Sequence, residues 1–163
     1  MEQFQLDLDG LGIIFYSPHA VSHIHAGERY LMEHYNKVED VVQHIYEGSI
    51  VGFATGSPGP FMLTIYQDVY PNFDELAPDW ALKLCLTVTE NTVFFRDLYT
   101  LMRYKEATDS DIKITLENGN YEVIVCSWMP ETDIRGDHQA IHIYFNKKEE
   151  LPKLHYEGVP SFV

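Results

Sequence analysis

Basic residues are scarce in this chain. In 163 residues, 11 Lys+Arg stand against 25 Asp+Glu, a formal net charge of −14. Nucleic acid is bound by Lys and Arg that displace its counterions, so the deficit argues against direct DNA or RNA binding. It points instead to a basic partner, or to solubility alone. Cysteine is also sparse: Cys85 and Cys126 sit in apolar, strand-like runs with no C-x-x-C. That reads as two reduced core thiols, and neither a zinc ribbon nor a redox motif is supported. Long apolar runs are missing. Leu11 to Tyr16 falls far short of the roughly 18 residues of a membrane span. Met1-Glu2-Gln3-Phe4-Gln5-Leu6-Asp7 lacks the basic and apolar regions of a secretory signal, so a cytoplasmic location is expected. No cofactor is implied. The chain does have apolar and aromatic residues, 45% and 13% of the total, too many for a disordered acidic tail. A chain of this length closes a core without metals or disulfides, and one domain over 1–163 is expected.

The hydrophobic pattern is mostly of period two. Phe4, Leu6 and Leu8 alternate with Gln5, Asp7 and Asp9, and Ile13 to Tyr16 reads as a second strand ending at Ser17-Pro18. From Glu28 to Tyr46 the period becomes helical, through Leu31, Tyr35, Val38, Val42 and Ile45, with Asn36 a point of division and Gly48 the closing glycine. Beyond Gly48 the chain reads as β. Ser49–Thr55 and Phe61–Gln67 flank the rigid turn 56–60. Trp80, Leu82, Leu84, Leu86 and Val88 share one strand face, Asn91 marks a turn, and Thr92 to Phe95 resumes the extended pattern. The strongest local signal is Asn118-Gly119 between Ile112–Leu116 and Tyr121–Trp128, the type I′ turn that joins paired strands. Tyr121 to Trp128 is apolar on both faces, as a central strand is, and His138 to Phe145 is a last strand with Ile141, Ile143 and Phe145 inward. About eight strands and one helical segment predict a mainly β fold, an antiparallel β-sandwich with one short helical segment.

Three chemistries have candidate residues in the sequence. His23 and His25 form H-x-H. On a strand two such imidazoles lie roughly 7 Å apart and can meet one metal, which would make a small metal-dependent hydrolase. No third ligand is placed by the sequence, and solvent-facing histidines are the preferred reading, for these and for His138 and His142. A serine nucleophile is not supported: Gly56-Ser57-Pro58-Gly59 is neither a nucleophile elbow nor a phosphate loop. Arg135-Gly136-Asp137 is a chance tripeptide. Paired carboxylates, Asp74 with Glu75 or Glu131 with Asp133, would need an apolar pocket to act as acid and base. They fall in polar loops, so no enzyme activity is expected.

Those loops support a binding reading. Asp68, Asp74, Glu75 and Asp79 lie in one inter-strand segment, and Glu131, Asp133 and Asp137 in another. Together they would present a negative patch that enters a basic groove evolved for phosphates, with complementary potentials raising the on-rate. Tyr70 and Phe73 are candidate interface anchors, and Tyr66, Trp80 and Trp128 lie nearby in sequence. Exposed Tyr70 and Phe73 would equally suit a β-sandwich module that binds a small ligand or carbohydrate.

Tyr46-Glu47-Gly48-Ser49-Ile50-Val51-Gly52-Phe53 ahead of Phe61-Met62-Leu63-Thr64-Ile65, then Val88-Thr89-Glu90-Asn91, then Gly119-Asn120-Tyr121 running into Cys126-Ser127-Trp128-Met129-Pro130 resemble, in this order, the competence protein J family, also called Nin. The resemblance covers about residues 45–146. It implies a β-sandwich that inhibits a DNA-entry nuclease by binding it. The chain departs from the family pattern in Ser127, which separates Cys126 from Trp128, in a longer N-terminal half, and in a C-terminal extension from Asn146 to Val163. The motif residues are structural in kind, so the resemblance assigns no binding residues. Immunity proteins against toxin nucleases, also small, acidic and cytosolic, fit the same properties.

Overall fold

The computed structural model describes residues 1–163. Nine strands form two packed sheets. β1 (Glu2–Leu8), β4 (Gly59–Gln67), β9 (Gln139–Lys148), β8 (Gly119–Ser127) and β5 (Trp80–Val88) make a five-stranded sheet in the order β1-β4-β9-β8-β5. β2 (Gly12–Tyr16), β3 (Val51–Ala54), β6 (Thr92–Asp97) and β7 (Ile112–Thr115) make a four-stranded sheet in the order β3-β2-β6-β7. The expected β-sandwich is therefore present. Every neighbouring pair is antiparallel except β4 and β9, which run parallel with Leu63 opposite Ile141.

The helical stretch divides where Asn36 suggested, into α1 (Tyr30–His34) and α2 (Val38–Glu47). Gly48 ends α2 at φ 62°, a left-handed cap that a side chain would strain. A third short helix, α3 (Phe73–Leu76), lies inside the first acidic segment, capped by the Asn72 side chain accepting from Glu75 N–H. The sequence pattern gave no sign of it.

The Asn118-Gly119 hairpin does not form. β7 pairs with β6, and β8 pairs with β5 and β9, so residues 116–118 pass from one sheet to the other. A strand apolar on both faces belongs in the middle of the larger sheet, and that demand overrides the local turn signal. The left-handed pair sits instead at Glu90 and Asn91, each at φ 51°, on the crossing from β5 to β6. The two crossings are tied together: Asn91 N–H donates to the Asn118 side chain at 2.7 Å, and Asn118 N–H donates to the Asn91 side chain at 3.2 Å.

A core of 32 buried residues joins the sheets. Phe145 of β9 meets Phe15 and Phe95 of the other sheet edge-on, at 6.1 and 6.2 Å between centroids. Such pairs add about 0.5–1.5 kcal/mol each beyond the area they bury. Cys85 and Cys126 are free and buried, and burial pushes both thiols up to about 11, so neither offers a thiolate as nucleophile or ligand.

The C-terminal extension closes one side of the sandwich. Ala54 N–H donates to Pro160 C=O at 2.8 Å, and Phe162 N–H donates to Ala54 C=O at 3.0 Å, which adds the tail to the edge of β3. Phe162 is fully buried between Phe53 of β3 and Trp80 of β5, at 5.3 and 5.6 Å.

Candidate functional site

β4 and β5 are parallel members of one sheet, so the segment between them must return from one end of the sheet to the other. Residues 68–79 do so across the outer face. Asn146 of β9 donates its amide to Val69 C=O at 2.9 Å, and Trp128 donates its indole N–H to Leu76 C=O at 2.7 Å. Beneath lie outward-facing side chains of the sheet: Tyr66 stacked on Tyr144 at 4.5 Å, and His142 edge-on to Trp128 at 4.7 Å. Tyr66 and Trp128 are half-buried and held in this layer, so they are not free anchors. Trp80 is packed under Phe162 and the Arg135 guanidinium.

Residues 129–137, the second acidic loop, join β8 to β9 and meet the first segment at one end. Met129 N–H donates to the Asp79 carboxylate at 2.7 Å, and Asp79 N–H donates to Ser127 C=O at 3.0 Å. The base of this loop is set by a buried polar chain. The Gln139 amide donates to the Ser127 hydroxyl at 2.8 Å and accepts Gly136 N–H at 2.9 Å, while the Ser127 hydroxyl donates to Ala140 C=O at 2.7 Å. Gly136, at φ 83°, lies against the Pro58 carbonyl, where a Cβ would collide with backbone. Bare glycine contact thus seats the loop on the turn 56–60.

The seven expected carboxylates divide into three kinds. Asp68 is bound to β9 through its N–H on Phe145 C=O, while Asp79 is bound to β8 at Ser127. Strand rise and spacing put these ends of the segment about 20 Å apart, so Asp68 does not join the others. Asp79 and Asp137 serve the loops themselves. Asp137 accepts from the Thr132 hydroxyl at 2.9 Å and lies 3.0 Å from His138 Nδ1, and those hydrogen bonds hold its carboxyl below the ordinary range. Asp74, Glu75, Glu131 and Asp133 are exposed, and their carboxylates take part in no hydrogen bond or ion pair.

Large apolar side chains are exposed in the same two segments, Val69 and Tyr70 at the Asp68 end beside Asn146 and Lys148. Tyr70 is 53% exposed and Phe73 46%, as the anchor reading requires. Val69, Met129 and Ile134 are exposed in the same two segments and were not singled out by the sequence reading; Ile134, alone among polar neighbours, was the available signal. Arg135 was also missed. It is the only Lys or Arg in 68–79 and 129–137, and it points inward. Its Nη2 donates to Thr55 C=O at 2.9 Å and to Phe162 C=O, and its guanidinium lies over the Trp80 ring at 5.0 Å. The two segments themselves then present only carboxylates, while Lys148 of β9 lies over the Tyr70 ring at 5.1 Å and donates to its hydroxyl.

His23, His25 and His138 face solvent, as the preferred reading expects; the strand behind the metal alternative is what the structure corrects. His23 and His25 are not on a strand: they lie in the turn after a short 3-10 segment, Pro18–Val21, and both are exposed. His23 packs on Tyr30 at 5.8 Å, and no three His, Cys, Asp or Glu side chains converge as a metal shell. His142, expected to face solvent, is partly covered by Trp128 and Tyr66, with Nδ1 buried and unpartnered.

Burial lowers the His142 pKa below its ordinary 6.5. The folded state then favours neutral imidazole. Its contribution to stability is full above about pH 6.5, where both states are neutral. It falls as the unfolded state takes up a proton first, and it levels off once pH passes below the folded value. Urea denaturation from pH 7.5 to 5 should show the stability difference between the wild-type protein and His142→Phe shifting toward the variant as pH falls. Parallel profiles would show that His142 is not the titrating group.

No protein-family model matches the sequence, and a search of curated proteins finds no significant match. Solved structures do match in fold. ComJ from Bacillus subtilis, inhibitor of the DNA degrading activity of NucA, superposes with a TM-score of 0.53 over 91% of this chain and 96% of its own, at 9% identity. The protein described as crocagin biosynthetic gene J gives 0.52 over 88% of this chain and 98% of its own, at 12% identity. The chain therefore shares its fold, over nearly its whole length, with the NucA inhibitor ComJ and with a protein of crocagin biosynthesis.

Proposed function

We propose that this chain is a cytoplasmic, non-enzymatic protein that binds and blocks a basic nuclease through the face formed by residues 68–79 and 129–137. The observation that carries this reading is the division of charge at that face. The one cation of these segments is drawn inward onto Trp80 and Phe162, while Asp74, Glu75, Glu131 and Asp133 remain exposed in the same segments as Phe73, Met129 and Ile134. Exposed carboxylates around large apolar anchors suit a cationic groove shaped for phosphates: the charges steer encounter and the anchors slow escape. The fold shared with ComJ supports the reading, and at 9% identity it supports it as fold alone.

The test is capture. The chain is immobilised and exposed at low salt to lysate of its native cell. A basic protein should be retained, released by salt, and identified as a nuclease. Its hydrolysis of DNA should stop when the chain reaches one equivalent. A retained nuclease that stays active with excess chain, or retention of no nuclease at any ionic strength, would refute the assignment.

A further inference from the structure

A cleft of 290 Å3 opens beside β3, with none of the exposed carboxylates in its lining. Its walls are Leu31 of α1, Val41 of α2, Phe53 of β3, Leu98, and Val159 of the tail. Tyr35 seals one end, its hydroxyl donating to Ile50 C=O at 2.9 Å. A Cβ on Gly52 would lie 2.6 Å from that hydroxyl, so glycine is what lets the ring close the cleft. No Asp, Glu, Lys, Arg or His lines the cleft, and the only side-chain amide is that of Asn36 at the rim.

The second feature is backbone. Ala54 spends both its N–H and its C=O on the tail, so it faces away from β2. Residues two apart on a strand present their backbone groups to the same edge. Gly52 therefore turns its N–H and C=O to that edge as well, beyond the reach of Pro160 and Phe162, and no backbone hydrogen bond outside the ladders involves it. Buried backbone groups are nearly always paired, so an unpaired donor and acceptor beside apolar walls mark a place for a ligand amide.

We infer that this cleft binds a neutral small molecule with an apolar body flanked by two amide groups, the N–H of one and the C=O of the other pairing with Gly52 as an added strand would. A cavity of about 150 Å3 holds a benzene ring, so this cleft holds about a dozen non-hydrogen atoms. Charged ligands are disfavoured, because nothing in the lining compensates a desolvated charge. The inference does not depend on the reading of the acidic loops.

The probe is N-acetyl-leucine methylamide, titrated into the 15N-labelled full chain, with the carboxylate N-acetyl-leucine as the charged control. The methylamide should give saturable shifts at Gly52, Phe53, Leu31 and Val159, and the carboxylate should bind at least tenfold more weakly. Val159→Trp, at an exposed wall position, should fill the cleft and abolish those shifts, and Asn36→Trp at the rim should weaken them. Shifts that stay linear to the solubility limit, that scatter over the surface, or that persist unchanged in both variants would overturn the inference, as would equal affinity for the carboxylate.

Discussion

Phe162→Ala should lose about 3–5 kcal/mol of folding stability, the usual cost of emptying a buried phenylalanine site. Domains of this kind have only about 5–15 kcal/mol in total, so one residue near the end of the chain carries a large share. The ring is fully buried, stacked on Trp80 at 5.6 Å and tilted against Phe53 at 5.3 Å, one from each sheet. Removing it opens a void between β3 and β5 and leaves the tail attached chiefly through Ala54. The loop 129–137 loosens with it, because the Phe162 carbonyl accepts from Arg135. Urea denaturation gives the first quantity, and hydrogen exchange at Gly136 reports the second. A loss below about 1 kcal/mol would show that the tail merely lies on the sandwich.

The second large effect concerns binding. Changing Asp74, Glu75, Glu131 and Asp133 together to their amides should leave the melting temperature unchanged, since none of these carboxylates is bonded within the fold. Association with the captured nuclease should slow by about 10–100-fold at low salt, and the gap should close as the Debye length shrinks. Phe73→Ala should act on the other side of the equilibrium. An anchor worth about 2 kcal/mol or more raises the dissociation rate about 30-fold with little change in association. Stopped-flow measurements across an ionic-strength series separate the two. If the four-fold amide variant associates at the wild-type rate in low salt, the acidic face is not the docking face. Asp137 and Asp79 are unsuitable for this test, because their carboxylates hold Thr132 and Met129 in place.

Much of the fold was legible in the sequence because burial imposes a period. The alternation in Trp80 to Val88, the doubly apolar run from Tyr121, and the break at Asn36 reappear as β5, β8 and the gap between α1 and α2. What alternation does not encode is which sheet a strand joins. Asn118-Gly119 looks like a hairpin locally, yet β7 and β8 part company because the partners that satisfy their faces lie elsewhere in the chain. The site was half legible. Composition marks the acidic segments, and Tyr70 and Phe73 are indeed exposed. The inward turn of Arg135, the occupation of Asp79 and Asp137, and the isolation of Asp68 depend on contacts between residues far apart in sequence. The H-x-H pair misled because its meaning depends on strand geometry, and His23 and His25 lie in a turn.

The parallel pairing of β4 with β9 also bears on how the chain assembles. Phe61 lies opposite Gln139, and Ile13 of β2 lies opposite Asp97 of β6, so the central contacts close very long loops. Chains dominated by such non-local pairings fold slowly, on the order of milliseconds to seconds. β9 also enters between β4 and β8, so the five-stranded sheet has no continuous middle until residues 139–148 are available. During synthesis the strands made earlier must wait, with apolar faces uncovered, for β9 to emerge. For such a chain a surplus of negative charge has a use before any partner is met: it keeps unfinished copies apart.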